Sequence, residues 1–262
     1  MPIGSILSKF IKINLAAADE KEYEVEINTP AKIALKLIGI PHLGFRTRAN
    51  VIFKMLKKID RKSKILDAGC GYGIYSIILA DKGHNMNAID IERKRINSIN
   101  SMLNEYPKIK SRINLELGSL TSLPYKNEEF DVVLCSEVLE HIKQDEKAFS
   151  EISRVLKNKG FLILSVPTYT KNNIKEYKKF GHMKPGYSLK DIEKLATKNG
   201  LRVEEKHYYD YFFGDLSFKL HNSMKDKVLL SLFFYPLYFV SSLDKLFKYK
   251  QPNGSITLLR KL

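Results

Sequence analysis

The sequence predicts an α/β fold: a parallel sheet with helices on both faces. Three observations carry that prediction. Short apolar runs alternate with helical patterns from residue 64 to 166, joined by short connections. Phe130–Ser136 is nearly continuous in apolar residues, as a strand buried on both faces must be. A turn rich in glycine, Gly69-Cys70-Gly71-Tyr72-Gly73, directly follows the first apolar run.

The elements follow in order. Residues 30–58 read as two helical pieces, broken by Gly39, Pro41 and Gly44. Residues 64–67 read as a strand and 74–82 as a helix that Gly83 stops. A second strand spans 85–90. A helix over 92–105 is ended by Pro107, and Ile113–Leu117 is a third strand. After the fourth, Phe130–Ser136, residues 144–157 are helical and 160–166 form a fifth strand stopped by Pro167. The rhythm then changes. Residues 168–187 read as a polar, aromatic loop. Ser188 caps a helix over 189–198, Gly200 ends it, and 201–209 is a strand. A long apolar stretch leads to Gly254 and a last strand at 255–259. The chain thus divides into a helical N-terminal extension, 1–60, and a main domain, 61–262, with an apolar helical insertion at about 212–250.

Composition narrows the classes. With 262 residues, 44% hydrophobic and 28% charged, the chain is globular rather than disordered. Its length suits one large domain or two small ones. Two cysteines, Cys70 and Cys135, exclude a disulfide framework and a cysteine-rich zinc module. They suit a reducing compartment, so a cytoplasmic location is expected. No period recurs, which excludes collagen, coiled coil and repeat arrays. The formal net charge is +15, and residues 171–262 hold 18 basic against 9 acidic side chains. Such a surface suits an anionic partner: membrane headgroups, nucleic acid or a phosphorylated substrate.

The N-terminal apolar positions Ile3, Ile6, Leu7, Phe10 and Ile11 are interrupted by Lys9 and Lys12 and followed by an acidic stretch at 19–26. No cleavable export signal is read there. Their one-sided spacing fits a helix packed on the domain, or a short helix lying on a membrane surface.

The chemistry is concentrated in Ile65-Leu66-Asp67-Ala68-Gly69-Cys70-Gly71-Tyr72-Gly73. Alternate glycines let the chain turn sharply after a strand and let a ligand touch bare backbone. Asp90 ends the next strand, where an acid can accept both hydroxyls of a ribose. The spacing is not the nicotinamide G-x-G-x-x-G. Counted from Gly69 the third glycine would fall on Ile74, and counted from Gly71 on Ser76. The pattern is D-x-G-x-G-x-G. An acid inside the turn repels a pyrophosphate and suits a cationic ligand bearing an α-amino group and a sulfonium.

In these residues the sequence resembles the class I S-adenosylmethionine-dependent methyltransferases, particularly the ubiquinone/menaquinone-biosynthesis branch. The resemblance extends over Leu123-Pro124-Tyr125, the run from Phe130 through Cys135-Ser136-Glu137-Val138-Leu139-Glu140-His141, and Val155-Leu156-Lys157-Asn158-Lys159-Gly160. It implies a Rossmann-like seven-stranded sheet of order 3-2-1-4-5-7-6, with S-adenosylmethionine as cofactor. By the same resemblance Asp67, Gly69 and Gly71 line the methionine part, with Gly73 at the helix start. Asp90 holds the ribose and Ile91 packs on adenine. Ser119 and Leu120 flank the adenine edge, and Cys135 with Ser136 closes the site. Many relatives carry an acid where Ser119 stands, so adenine recognition is expected to be weaker there.

Methyl transfer from a sulfonium needs chiefly alignment, and a base only when the acceptor must lose a proton. His182 in the loop 180–187 is the leading candidate for base or acceptor-binding group. Tyr187 in the same loop and His141 after the fourth strand are further catalytic candidates. The loop's glycines suit a lid. No metal-ligand spacing is identified. An Asn-Pro-Pro-Tyr-type signature of amino-group methylation is absent at Cys135-Ser136-Glu137-Val138, which leaves O- and C-methylation.

Residues 228–243 are sixteen uncharged positions. As a helix they reach about 24 Å, short of a bilayer core of roughly 30 Å, and Pro236 is expected to break the helix. A membrane span is therefore not expected. Lys225, Lys227, Lys245, Lys248 and Lys250 flank the segment, and each contributes on the order of 1 kcal/mol at an anionic surface. Peripheral docking at the inner membrane face, a lid over an apolar acceptor and a dimer interface are the three readings; the oligomeric state is open. The expected acceptor is a small molecule, lipid or lipid-linked. Aromatics cluster with aliphatics rather than with arginine, so nucleic acid is not the expected partner. An RNA methyltransferase and a catalytically silent cofactor-binding regulatory subunit are the alternatives.

Overall fold

The computed structural model describes residues 43–223, 227–246 and 251–262. The expectations for residues 1–42, and for Lys225, Lys248 and Lys250, lie outside the described residues. The chain forms two compact units: Met1–Ala49 with Asp210–Gln251, and Asn50–Tyr209 with Pro252–Leu262. Helix α1 (Leu43–Leu56) runs across the boundary between them.

The larger unit holds β1 (Ile65–Ala68), α2 (Ile74–Asp81), β2 (Met86–Asp90), α3 (Arg93–Leu103), α4 (Pro107–Lys110), β3 (Ile113–Leu117), β4 (Phe130–Ser136), α5 (Asp145–Val155), β5 (Leu156–Pro167), α6 (Lys171–Glu176), α7 (Leu189–Lys198), β6 (Leu201–Tyr209) and β7 (Gly254–Lys261). Its seven strands form one sheet of order β3-β2-β1-β4-β5-β7-β6, the order the resemblance implies. Strands β1 to β5 are parallel. β7 enters between β5 and β6 and runs antiparallel to both, so the sheet is mixed. It starts at Gly254, opposite Pro167 at the end of β5, and must return the other way. A Cβ on Gly254 would collide with the Tyr209 ring, so glycine is required where β6 and β7 meet.

Burial explains the central strands. All four residues of β1 are buried, and β4 is buried over Val132–Cys135. On α5 the buried positions Ala148, Phe149, Ile152 and Val155 repeat at helical spacing and join one core with Leu66, Val133, Leu162 and Leu164. Ser188 and Asp191 form a reciprocal capping box at the start of α7, satisfying two orphan amide donors.

Three local expectations are corrected. The helix over 144–157 stops at Val155, because Leu156 already pairs with Phe130 in the sheet. The loop 168–187 contains α6, whose Thr170 side chain accepts from the Asn173 amide. Pro107 does more than end a helix: it opens α4 at a first-turn position, where its missing N–H costs nothing.

The smaller unit's described residues include α8 (Phe212–Ser223) and α9 (Lys227–Ser242). Pro236 lies inside α9 and does not break it: it removes one ladder hydrogen bond while the helix continues on both sides. The buried Asp244 carboxylate accepts from the Tyr211, Phe213 and Gly214 amides at 2.8, 2.9 and 2.8 Å, occupying the donors that the start of α8 leaves unpaired. Among the described residues no helix is long and apolar enough to cross a membrane.

Candidate active site

The glycine turn is fastened to the carboxyl end of β2. The Gly69 and Cys70 amides both donate to the Ile89 carbonyl at 2.9 Å. Asp90 closes the connection: its Oδ2 accepts from the Gly71 amide at 2.8 Å and its Oδ1 from the Glu92 amide at 2.9 Å. Gly69, Gly71 and Gly73 have φ of 77°, 56° and 75°, the left-handed region that a side chain strains. Their surroundings differ. A Cβ on Gly69 would lie 2.6 Å from Val138, so the segment after β4 packs directly on the turn. A Cβ on Gly71 would meet no atom within 4 Å, leaving bare backbone facing open space.

Asp67 sits beneath this turn, 2% exposed, and accepts from Ser76 Oγ at 2.6 Å. Burial pushes its pKa up to about 6; the Ser76 hydrogen bonds oppose that shift and the nearby Asp90 adds to it. Beyond β2, Ile91 is 69% exposed. Arg95 lies 3.6 Å from Asp90 and 2.8 Å from Glu92, with its guanidinium over the Tyr72 ring. The Gly118 amide donates to the Asp90 carbonyl, which brings Ser119 to the same sheet edge. The Ser119 hydroxyl is engaged locally with Thr121, at 2.8 Å to its hydroxyl and 3.2 Å to its amide.

The structure brings Asp67, Gly69, Gly71, Gly73, Asp90, Ile91 and Ser119 together. The Leu120 and Cys135 side chains join the buried core cluster. Alternation along β4 turns Cys135 into the core, and burial pushes its thiol pKa up.

A second constellation follows β4. Glu137 has φ 57° and its Oε1 accepts from Ser165 Oγ and Tyr209 Oη, both at 2.8 Å. A 3-10 turn, Leu139–His141, comes next. The His141 and His182 rings meet edge to face, with centroids 4.5 Å apart. Burial, then the neighbouring His141, lowers the His182 pKa, while Glu137 opposes the shift. The loop bearing His182 is pinned rather than loose. The Met183 and Lys184 amides donate to the Glu140 carbonyl at 2.6 and 3.2 Å, and Lys184 Nζ reaches Asp145 at 2.6 Å.

Tyr187 is corrected from a catalytic candidate to a latch. It is 3% exposed, and its hydroxyl donates to Asp145 at 2.8 Å, with the Leu139 carbonyl at 3.2 Å. Burial and the Asp145 carboxylate drive its pKa upward, so the phenol holds its proton. Sequence reasoning gave Glu137 and Glu140 no role. Glu137's hydroxyl partners lie 28 and 72 residues away. The available signal was Glu-x-x-Glu-His directly after a buried strand.

Residues 66–164 match a family described as Methyltransferase domain. An uncharacterized protein of Methanocaldococcus jannaschii is 37% identical over 114 residues, 43% of this chain and 45% of that one. The ubiquinone biosynthesis O-methyltransferase of Rickettsia bellii is 25% identical over 214 residues, 74% of this chain and 81% of that one. The chain therefore spans less than half of the first of these relatives. Among solved structures, magnesium protoporphyrin IX methyltransferase from Synechocystis, with bound SAH, superposes with a TM-score of 0.58 at 17% identity, covering 98% of each chain. The mixed sheet, the D-x-G-x-G-x-G turn closed by Asp90 and these matches identify residues 66–164 as a methyltransferase domain similar to those of S-adenosylmethionine-dependent enzymes.

Proposed function

We propose that this enzyme methylates oxygen or carbon of a small lipid or lipid-linked acceptor at a membrane surface. One observation carries the reading: Phe212, Leu216 and Leu220, four residues apart on α8, are all exposed. That spacing puts three large apolar side chains on one stripe of the helix. Phe233 and Phe239 on α9 are exposed as well. The Rickettsia relative, an O-methyltransferase of ubiquinone biosynthesis by name, supports the same acceptor class.

The residues of the turn fit the cofactor. Open space lies over Gly71, a carboxylate stands at Asp90, and Ile91 offers an apolar face. Asp90 would hold the ribose and Ile91 the adenine, while Asp67 supplies negative charge beneath the methionine end. When bound, S-adenosylmethionine supplies a methyl group already activated on a sulfonium. The protein's task is then alignment, which contributes about 7–11 kcal/mol in well-oriented reactions. His182, with His141 beside it, binds the acceptor and handles the proton that a hydroxyl must lose.

Parallel incubation of extracted lipids and RNA with deuterated-methyl cofactor tests the proposal by mass spectrometry. Label is expected in the lipid fraction. Label in RNA alone overturns it, and cofactor binding without any labelled product points to a silent regulatory subunit.

A further inference from the structure

We propose that a cleft between the loop bearing His182 and α7 binds a small phosphate monoester carried on a flat ring. The cleft has a volume of about 290 Å³, near the lower end of small-molecule pockets, about 300–1,000 Å³. Its walls are the start of α5, the loop from Lys184 to Tyr187 and one face of α7, with Tyr169 at the edge. No residue of the glycine turn lines it.

The lining selects the ligand. Lys184 from the loop, with Lys194 and Lys198 one turn apart on α7, brings three ammonium groups to the cleft. Cations from separate directions suit a dianion with three terminal oxygens, and lysine holds phosphate as a point charge. The carboxylates that border the cleft are already engaged. Asp145, 4% exposed, accepts from Tyr187 Oη at 2.8 Å and from Lys184 Nζ at 2.6 Å. Asp191 accepts from the Ser188 amide and hydroxyl at 2.8 and 2.7 Å. Glu146 pairs with Lys198 at 2.7 Å, but both side chains stand in solvent, where such a pair contributes little and exchanges partners readily. Among the described residues Lys194 acts on Glu146 and Asp191 only as a nearby charge. The segment as a whole is basic: residues 171–198 hold eight lysines against three acids, so its field favours an anion. Tyr169 is 56% exposed beside these lysines, an aromatic face on which a flat ring stacks.

The cleft shares a wall with the His182 loop. Lys184 lies two positions from His182, and its amide donates to the Glu140 carbonyl, next to His141. A phosphate that draws Lys184 Nζ from Asp145 leaves that carboxylate its Tyr187 hydrogen bond, so the latch holds while the loop's ion pair is released. Occupancy thereby reaches His182, whose part in acceptor binding rests on the reading above; the cleft itself does not depend on it.

Phenyl phosphate is the probe, titrated by calorimetry into the full chain with and without saturating S-adenosylhomocysteine. One phenyl phosphate per chain is expected in both titrations. Lys194→Glu should weaken it at least roughly tenfold, since it places like charge against the phosphate, while S-adenosylhomocysteine affinity stays within about twofold. Lys62→Glu, outside the cleft, should bind like the parent. Tyr169→Ala should weaken phenyl phosphate by roughly threefold to tenfold and leave inorganic phosphate unchanged. Binding that is absent in the parent, equal in the parent and Lys194→Glu, or abolished by S-adenosylhomocysteine overturns the site. The His182 ring resonance, assigned from the His182→Gln spectrum, should move on saturation; an unmoved resonance overturns the link to the loop. Phenyl phosphate binding without any labelled lipid supports the cleft and overturns the acceptor reading.

Discussion

The Asp90 carboxylate accepts the Gly71 amide at 2.8 Å and so ties the glycine turn to the end of the neighbouring strand. The same carboxylate holds the Glu92 amide, so one side chain organises both connections that face the cofactor. Hydrogen bonds to a charged group contribute roughly 1.5–3 kcal/mol each. Asp90→Ala is therefore expected to lower the melting temperature by several degrees and to weaken S-adenosylhomocysteine binding at least tenfold. Calorimetry and thermal denaturation of the same sample measure both effects. A fall in stability with unchanged affinity would remove Asp90 from the cofactor site.

Asp67 makes binding depend on pH. Its folded pKa is raised from 3.8 to about 6, so the unliganded fold is favoured at low pH and loses that advantage as pH rises through 6. A cationic ligand prefers the ionised carboxylate. Cofactor affinity is thus expected to fall as pH drops from 7 to 5, and Asp67→Asn should flatten the profile. The shift corresponds to a cost on the order of 3 kcal/mol for the buried charge at neutral pH. Asp67→Asn should accordingly raise the melting temperature of the unliganded protein while weakening binding.

Gly69 and Gly71 should respond differently to the same substitution. Both have positive φ, which costs an alanine roughly 1–2 kcal/mol. Gly69→Ala adds a collision with Val138 at 2.6 Å, so its main effect should be a loss of stability. Gly71→Ala meets no protein atom within 4 Å, so its main effect should be a loss of cofactor affinity. Equal thermal shifts with equal binding losses would contradict this division.

Tyr187→Phe separates a latch from a catalyst. The variant removes one hydrogen bond to buried Asp145 and leaves Lys184 on that carboxylate. A stability loss of about 1–3 kcal/mol is expected. Denaturant unfolding should show it, while the pH dependence of turnover keeps its shape. A vanished limb of the pH profile would return Tyr187 to the chemistry.

The sequence by itself determined the sheet's strands, the glycine turn and Asp90. Each is a local signal: an apolar run, a spacing of glycines, an acid at a strand end. Backbone sterics and burial fix these over a few residues, so they survive without knowledge of partners. The three-dimensional fold alone decided which way side chains face and which distant groups meet. Cys135 lies in a motif that resembles a cofactor edge, yet strand alternation sends it into the core. Tyr187 and His182 share a loop, but Asp145 claims the phenol while His141 meets the imidazole. Pro236, a helix breaker in isolation, stays within α9. Hydrogen bonds and packing between residues tens of positions apart settle such questions, because their energies depend on the partner that the folded chain delivers.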